Sequence, residues 1–179
     1  MRKVLLAASL GLSLALPALA EVKSVTPQGF ELVQTVTVHR SPHEAFDDLV
    51  HIEKWWDGSH SFSHSAANLS IEPKVGGCWC ERLDDGGMAQ HLTVTFIMPD
   101  KMIELRGALG PLRFEGVDGV FRWTLKPAEG GGTLVTQSYI VGGYLREGAE
   151  HWAPIVDGVL TDALQRYARF ADTGSPEPR

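Results

Sequence analysis

The stretch WAPIVDGVLTDALQRYARFA, Trp152 to Ala171, sets the architecture. Trp152, Ile155, Val156, Val159, Leu160, Ala163, Leu164, Tyr167 and Ala171 recur at three- and four-residue spacing. That period puts them on one face of a long helix. Pro154 belongs in its first turn or kinks it. Upstream of Gly142-Gly143 the period is two.

Residues 30–39 (FELVQTVTVH) are rich in Val and Thr and alternate, as a strand does. In Ser41-Pro42-His43-Glu44, Ser41 can cap, Pro42 suits the first helical position and Glu44 completes a capping box. The spacing predicts a helix over 42–50 and a second short helix or turn over 51–56. The polar segment 59–67 reads as a loop. Strands follow at 68–73, 77–83, 90–98, 102–109, 119–126 and 133–141, separated by Gly-, Pro- and Asp-rich turns. The expected class is α+β: a curved antiparallel sheet of about six to seven strands around one C-terminal helix. One helix over so much sheet leaves a cavity between them.

The chain has 179 residues, with 44% apolar and 21% charged, an ordinary globular composition. Met1-Arg2-Lys3, an apolar run from Val4 to Leu16, Pro17 and the small-x-small Ala18-Leu19-Ala20 read as a secretory signal peptide. Cleavage near Ala20 leaves a secreted or periplasmic chain: one domain over 21–172 and a flexible tail over 173–179. Loss of Arg2 and Lys3 takes the net charge from −6 to −8. The basic residues form no patch, which disfavours nucleic acid as a partner. No later apolar run reaches the roughly 18 residues of a membrane span. There is no P-loop, dinucleotide glycine fingerprint, His-Glu-x-x-His or Gly-x-Ser-x-Gly, so no cofactor is expected.

In 90–98 the even residues Leu92, Val94, Phe96 and Met98 are expected to face the cavity. A four-residue turn at 84–87 then puts Trp79 and Glu81 on that face and Cys78 and Cys80 on the other, with Cys80 opposite His91. Cys78, Cys80 and His91 are weak candidates for a metal site. A disulfide between the cysteines and two half-buried free thiols are the alternatives, since residues i and i+2 of a strand lie about 6.5–7 Å apart. A carboxylate facing an apolar cavity is expected to titrate high, which makes Glu81 a candidate acid or base. His60 and His64, near Asp57, are expected to line the entrance; His64 is the other catalytic candidate. The aromatic wall is expected from Trp56, Trp79, Phe96, Phe121, Trp123, Tyr139 and Trp152, with Val156 beside them. The apolar, Gly/Pro-punctuated 107–112 segment reads as a lid or a bulged connection.

Several motifs resemble those of the START/Bet v 1-like (SRPBCC) superfamily, the helix-grip fold. They are Ser41-Pro42-x-x-Ala45-Phe46, Trp55-Trp56, Val75-Gly76-Gly77-x-Trp79-x-Glu81, Gly119-x-Phe121-x-Trp123-x-Leu125, Gly132-Thr133-x-Val135-Thr136 and Ala153-Pro154-x-Val156-Asp157-x-Val159-Leu160. Within it the chain is most similar to the bacterial polyketide cyclase/dehydrase-like and Hsp90-ATPase-activator-homologue-like branch. The resemblance implies a helix-grip domain and admits three functions. The leading expectation is an exported carrier of a hydrophobic or aromatic small molecule. The others are a cyclase/dehydratase- or hydrolase-type enzyme in the same cavity, and a co-chaperone-like interaction module.

Overall fold

The computed structural model describes residues 19–178. The leader therefore lies outside the described residues, except for Leu19 and Ala20. Eight strands make one antiparallel sheet: β1 (Leu19–Thr26), β2 (Gly29–Val38), β3 (Leu69–Ile71), β4 (Cys78–Arg82), β5 (Met88–Met98), β6 (Met102–Arg106), β7 (Gly116–Pro127) and β8 (Thr133–Tyr144). Their order is β1-β2-β8-β7-β6-β5-β4-β3. After β2 the chain crosses to the far edge and meanders back until β8 lies against β2. The sheet thus exceeds the six to seven strands expected. The extra strand is β1, an edge strand whose described side chains, Val22 to Thr26, are all exposed.

Helix α1 (Pro42–Val50) carries the expected capping box. Ser41 Oγ accepts from the Glu44 N–H, and Glu44 Oε2 accepts from the Ser41 N–H at 3.0 Å. Helix α2 (Ala149–Thr173) packs on β1, β2 and α1, with Leu160, Ala163, Leu164, Tyr167 and Ala171 buried. Pro154 lies in its second turn, where it removes one helical hydrogen bond on an exposed face. Gly174 closes the helix in the left-handed conformation, its N–H donating to Phe170 O at 2.7 Å. Beyond it, Arg169 Nε donates to Pro176 O at 2.6 Å and Arg166 pairs with Glu177 at 2.7 Å. The segment expected as a flexible tail is held to α2 as far as Glu177.

Alternation in β2, β7 and β8 follows the sequence: Leu32, Val36, Phe121, Trp123, Leu125, Val135 and Tyr139 all point into the core. One row of that core is polar. Gln34, Gln137 and Trp123 sit side by side across β2, β8 and β7. Gln137 Oε1 accepts from Trp123 Nε1 at 2.8 Å, and its Nε2 donates to Gln34 Oε1 at 3.2 Å and Leu160 O at 3.0 Å. Gln34 Nε2 donates to Asp157 Oδ1 at 2.6 Å. These bonds pin α2 to the sheet at one register and satisfy both buried amides.

Strand β5 breaks the expected alternation twice. The β4 pairing runs Trp79↔Leu92 and then Cys80↔Gln90, which leaves His91 as an extra residue. The β6 pairing runs Val94↔Leu105 and then Phe96↔Glu104, which leaves Thr95 extra. Each bulge reverses the faces beyond it. Phe96 and Met98 are consequently 43% and 40% exposed on the outer face, and Ile97 packs inward instead. The expectation that Phe96 lines the cavity is corrected on this ground.

Candidate functional site

A cavity of about 340 Å³ lies between the sheet and α2. Trp79 and His91 supply its sheet side, and Trp152, Ile155 and Val156 its helix side. Trp56, His60 and Phe62 come from the connection after α1, and Leu109 to Leu112 from the β6–β7 connection. Of the lining residues expected, Trp56, His60, Trp79, Trp152 and Val156 are there. Phe121, Trp123 and Tyr139 are not: they sit behind Trp79 in a buried ring cluster. Phe121 and Trp123 are 4.7 Å apart edge to face, and Trp123 stacks on Trp79 at 5.7 Å. His64 is exposed in a positive-φ turn.

The five-residue connection Leu83 to Gly87 and the His91 bulge recast the polar part of the site. Glu81 faces Ala89, and the bulge swings His91 to the side of Glu81. His91 Nε2 lies 2.9 Å from Glu81 Oε2, with both side chains buried. Glu81 also accepts from the backbone N–H groups of Ser63 (2.5 Å) and Phe62 (3.2 Å). Desolvation pushes the Glu81 carboxyl up, but the hydrogen bonds from Ser63, His91 and Phe62 outweigh it and hold the group below its ordinary value. The expectation of a raised pKa is therefore overturned. Burial alone does not set the titration of a carboxylate whose oxygens are this well supplied with donors.

Burial likewise holds the His91 imidazole below its ordinary value, aided by Arg113 and opposed by Glu81. The geometry agrees. Nδ1 faces the Gly110 N–H at 3.4 Å and acts as acceptor, so Nε2 carries the proton toward Glu81. Phe62 stacks on the ring at 5.5 Å and meets exposed Phe114 at 6.1 Å. Glu81 thus ties together the loop carrying Phe62, the bulge carrying His91 and, through His91, the Gly110 turn.

That turn is the 107–112 segment expected as a lid or a bulge. Gly107 (φ 139°) bends the chain off β6, and a Cβ there would meet His91 O at 2.8 Å. Tyr139 Oη donates to Gly107 O at 2.9 Å and accepts from the Leu109 N–H at 3.0 Å. Burial raises the Tyr139 phenol, which stays protonated and able to donate.

Cys78 and Cys80 form a disulfide with Cα atoms 5.4 Å apart, closer than the roughly 6.6 Å of two residues of rise. With the sulfurs joined and His91 turned to Glu81, the Cys/Cys/His candidate is dissolved. Among the described residues no cluster of His, Cys, Asp and Glu could hold a metal. Asp57 instead accepts from the Ser59 N–H at 2.8 Å, a bond that lowers its pKa.

Acid should loosen this arrangement. As pH falls below about 6.5, the unfolded chain binds a proton at His91 that the folded chain refuses. Stability then drops by at most about 1.4 kcal/mol per pH unit, and Glu81 adds to the loss below about pH 4.5. His43, fully exposed and raised by its hydrogen bond to Asp100, works in the opposite direction. Thermal midpoints of the parent and His91→Gln between pH 7 and 5 isolate the His91 part, because the amide cannot titrate. A slope unchanged in the variant would refute it.

Solved structures of similar fold include three at low identity. A conserved protein of unknown function from Enterococcus faecalis, EF2215, is 16% identical over 89% of this chain and 82% of that one, with a TM-score of 0.61. DynU16, a putative protein in the dynemicin biosynthetic locus, is 20% identical over 82% of this chain and 48% of its own, with a TM-score of 0.55. The Aha1 dimer from Colwellia psychrerythraea is 16% identical over 80% and 97%, with a TM-score of 0.55. No protein-family model and no curated protein matches the sequence. With the sheet order and α2, these likenesses establish a helix-grip fold, one curved antiparallel sheet around a long C-terminal helix. Among the described residues no helix is long and apolar enough to cross a membrane.

Proposed function

We propose that the chain is an exported binding protein for a hydrophobic, aromatic small molecule held in the cavity between sheet and α2. The cavity itself carries this reading: its walls are aromatic and aliphatic, with few polar groups, as in ligand sites generally. Its volume lies at the lower end of the roughly 300–1,000 Å³ usual for such sites. Binding is favoured over turnover by the state of the candidate acids and bases. Both Glu81 oxygens accept hydrogen bonds from the protein, and both ring nitrogens of His91 are engaged. His60 at the mouth is the remaining titratable side chain on the wall. Export is supported by the leader-like residues 1–20 and by the disulfide, which suits an oxidising compartment.

Native mass spectrometry tests both parts on protein expressed with its leader and recovered from the periplasm without reductant. The expected result is a chain beginning at Glu21 with an organic adduct that leaves on denaturation. A full-length chain in the cytoplasm would overturn export. A bare mass that stays bare after incubation with a mixture of neutral aromatic compounds would overturn the binding reading.

A further inference from the structure

Cys78 and Cys80 are the only cysteines of the chain. Their disulfide joins residues two positions apart on one strand, so it ties no two elements together. β4 is already held on both sides: Cys80 pairs with Ser70 of β3, and Cys78 with Thr93 of β5. A cross-link stabilises by restricting the unfolded chain, and the shortest loops gain least. The bond also draws β4 in. Its Cα atoms lie 5.4 Å apart, against roughly 6.6 Å for two residues of rise. Breaking it lets the strand extend.

The sulfurs stand on the outer face of the sheet. Trp79, between the cysteines, is buried and stacks inward on Trp123, so strand alternation sends its two neighbours the other way. The surface around them is polar. Ser70 and Gln90, the ladder partners of Cys80, are exposed, and Gln90 Nε2 donates to Thr93 Oγ1. Cys78 is half-buried and Cys80 buried, so an incoming thiolate reaches Cys78 first. We infer that Cys78–Cys80 is a thiol–disulfide exchange site, open at Cys78, whose reactant is a small thiol of the glutathione kind. The thiolate attacks Cys78 Sγ, the bond to Cys80 breaks, and Cys80 leaves as a thiolate that takes a proton from water. A second thiolate attacks the sulfur of the bound small thiol and releases Cys78. Two small thiols are thereby oxidised to their disulfide, and the protein pair is reduced to two thiols. The inference goes beyond the binding function and is independent of what the cavity holds.

Reduced glutathione is the probe. The folded, oxidised protein is incubated with it, free thiols are blocked with iodoacetamide, and the mass of the chain counts the alkyl groups. Both cysteines should become alkylated without denaturant. The rate should be unaffected by urea well below the unfolding midpoint, because the reaction proceeds from the folded state. A chain that stays oxidised until it unfolds carries a purely structural bond, and the inference falls. Acid quenching early in the reaction traps the mixed disulfide, and peptide mapping should place glutathione on Cys78. The single variants test the same order with oxidised glutathione. Cys80→Ser should be glutathionylated at least about tenfold faster than Cys78→Ser, because burial withholds the Cys80 thiol. Glutathione shared evenly between the two positions, or found chiefly on Cys80, would overturn the assignment. The mapping uses the parent alone, so a variant that fails to fold does not remove the test.

Discussion

Replacing Gln137 by Leu lowers the thermal midpoint by roughly 5–20 °C, taking a loss of about 2–5 kcal/mol at roughly 2–4 °C per kcal/mol. The two side chains are close in size, so the effect comes from hydrogen bonding more than from packing. Without the amide, the buried Trp123 N–H and the Gln34 carbonyl lose partners at 2.8 and 3.2 Å, and Leu160 O loses one at 3.0 Å. Each orphaned buried group costs about 1–3 kcal/mol. Thermal or urea denaturation reads the change directly. Gln34→Leu made alone strands Asp157 as well as Gln137. The double replacement should cost less than the sum of the two, because it removes both ends of one bond. Strictly additive losses would show that the row does not act as a unit.

Glu81→Gln is expected to cost about 2–4 kcal/mol and to lower the midpoint by roughly 5–15 °C. The carboxylate receives three donors, two of them backbone N–H groups of one loop. An amide offers one oxygen and turns its own NH2 toward a donor. The loop carrying Phe62 and the turn carrying Gly110 should loosen together, since His91 joins them. Hydrogen exchange at the Phe62, Ser63 and Gly110 amides is the local readout, and faster exchange at all three is the expected result. A proton-transfer role for Glu81 makes a different forecast: turnover of a substrate lost, midpoint and exchange unchanged. That outcome would return Glu81 to the list of catalytic acids.

The parts of the fold that depend on neighbours in sequence are legible in the sequence itself. Helix α1 is bracketed by its capping box and begins and ends where the residues say. The three- and four-residue spacing from Trp152 onward is helical because no sheet could bury such a face. The inward set of β7 and β8 follows from strict alternation. β1 was not legible, because VKSVT on an exposed edge has no buried face to reveal itself.

The site is less legible, for two physical reasons. Alternation through 90–98 presumes a regular strand, and bulges at His91 and Thr95 leave no local mark in composition. The register predicted for Trp79 opposite Leu92 is the one observed, but one residue later it slips. That slip moves His91 from the cysteines to Glu81, and the second bulge, at Thr95, sends Phe96 outward. The titration of Glu81 is hidden for the second reason. Desolvation is outweighed there by the backbone N–H groups of Phe62 and Ser63, which come from a loop 19 and 18 residues away in the chain.

The placement of β8 beside β2 also governs how this molecule comes to be. Gln34 lies 103 residues before Gln137 and 123 before Asp157, the partners that fix the sheet and its covering helix. At a synthesis rate of about 5–20 residues per second, the first half waits roughly 5–25 s for them. Until then β2 has neither its inner neighbour nor a roof, and the nascent chain cannot close. Non-local pairing of this kind makes for slow folding with exposed apolar strands. The helix that covers the sheet therefore acts in time as well as in space: only once it is available can the whole sheet settle.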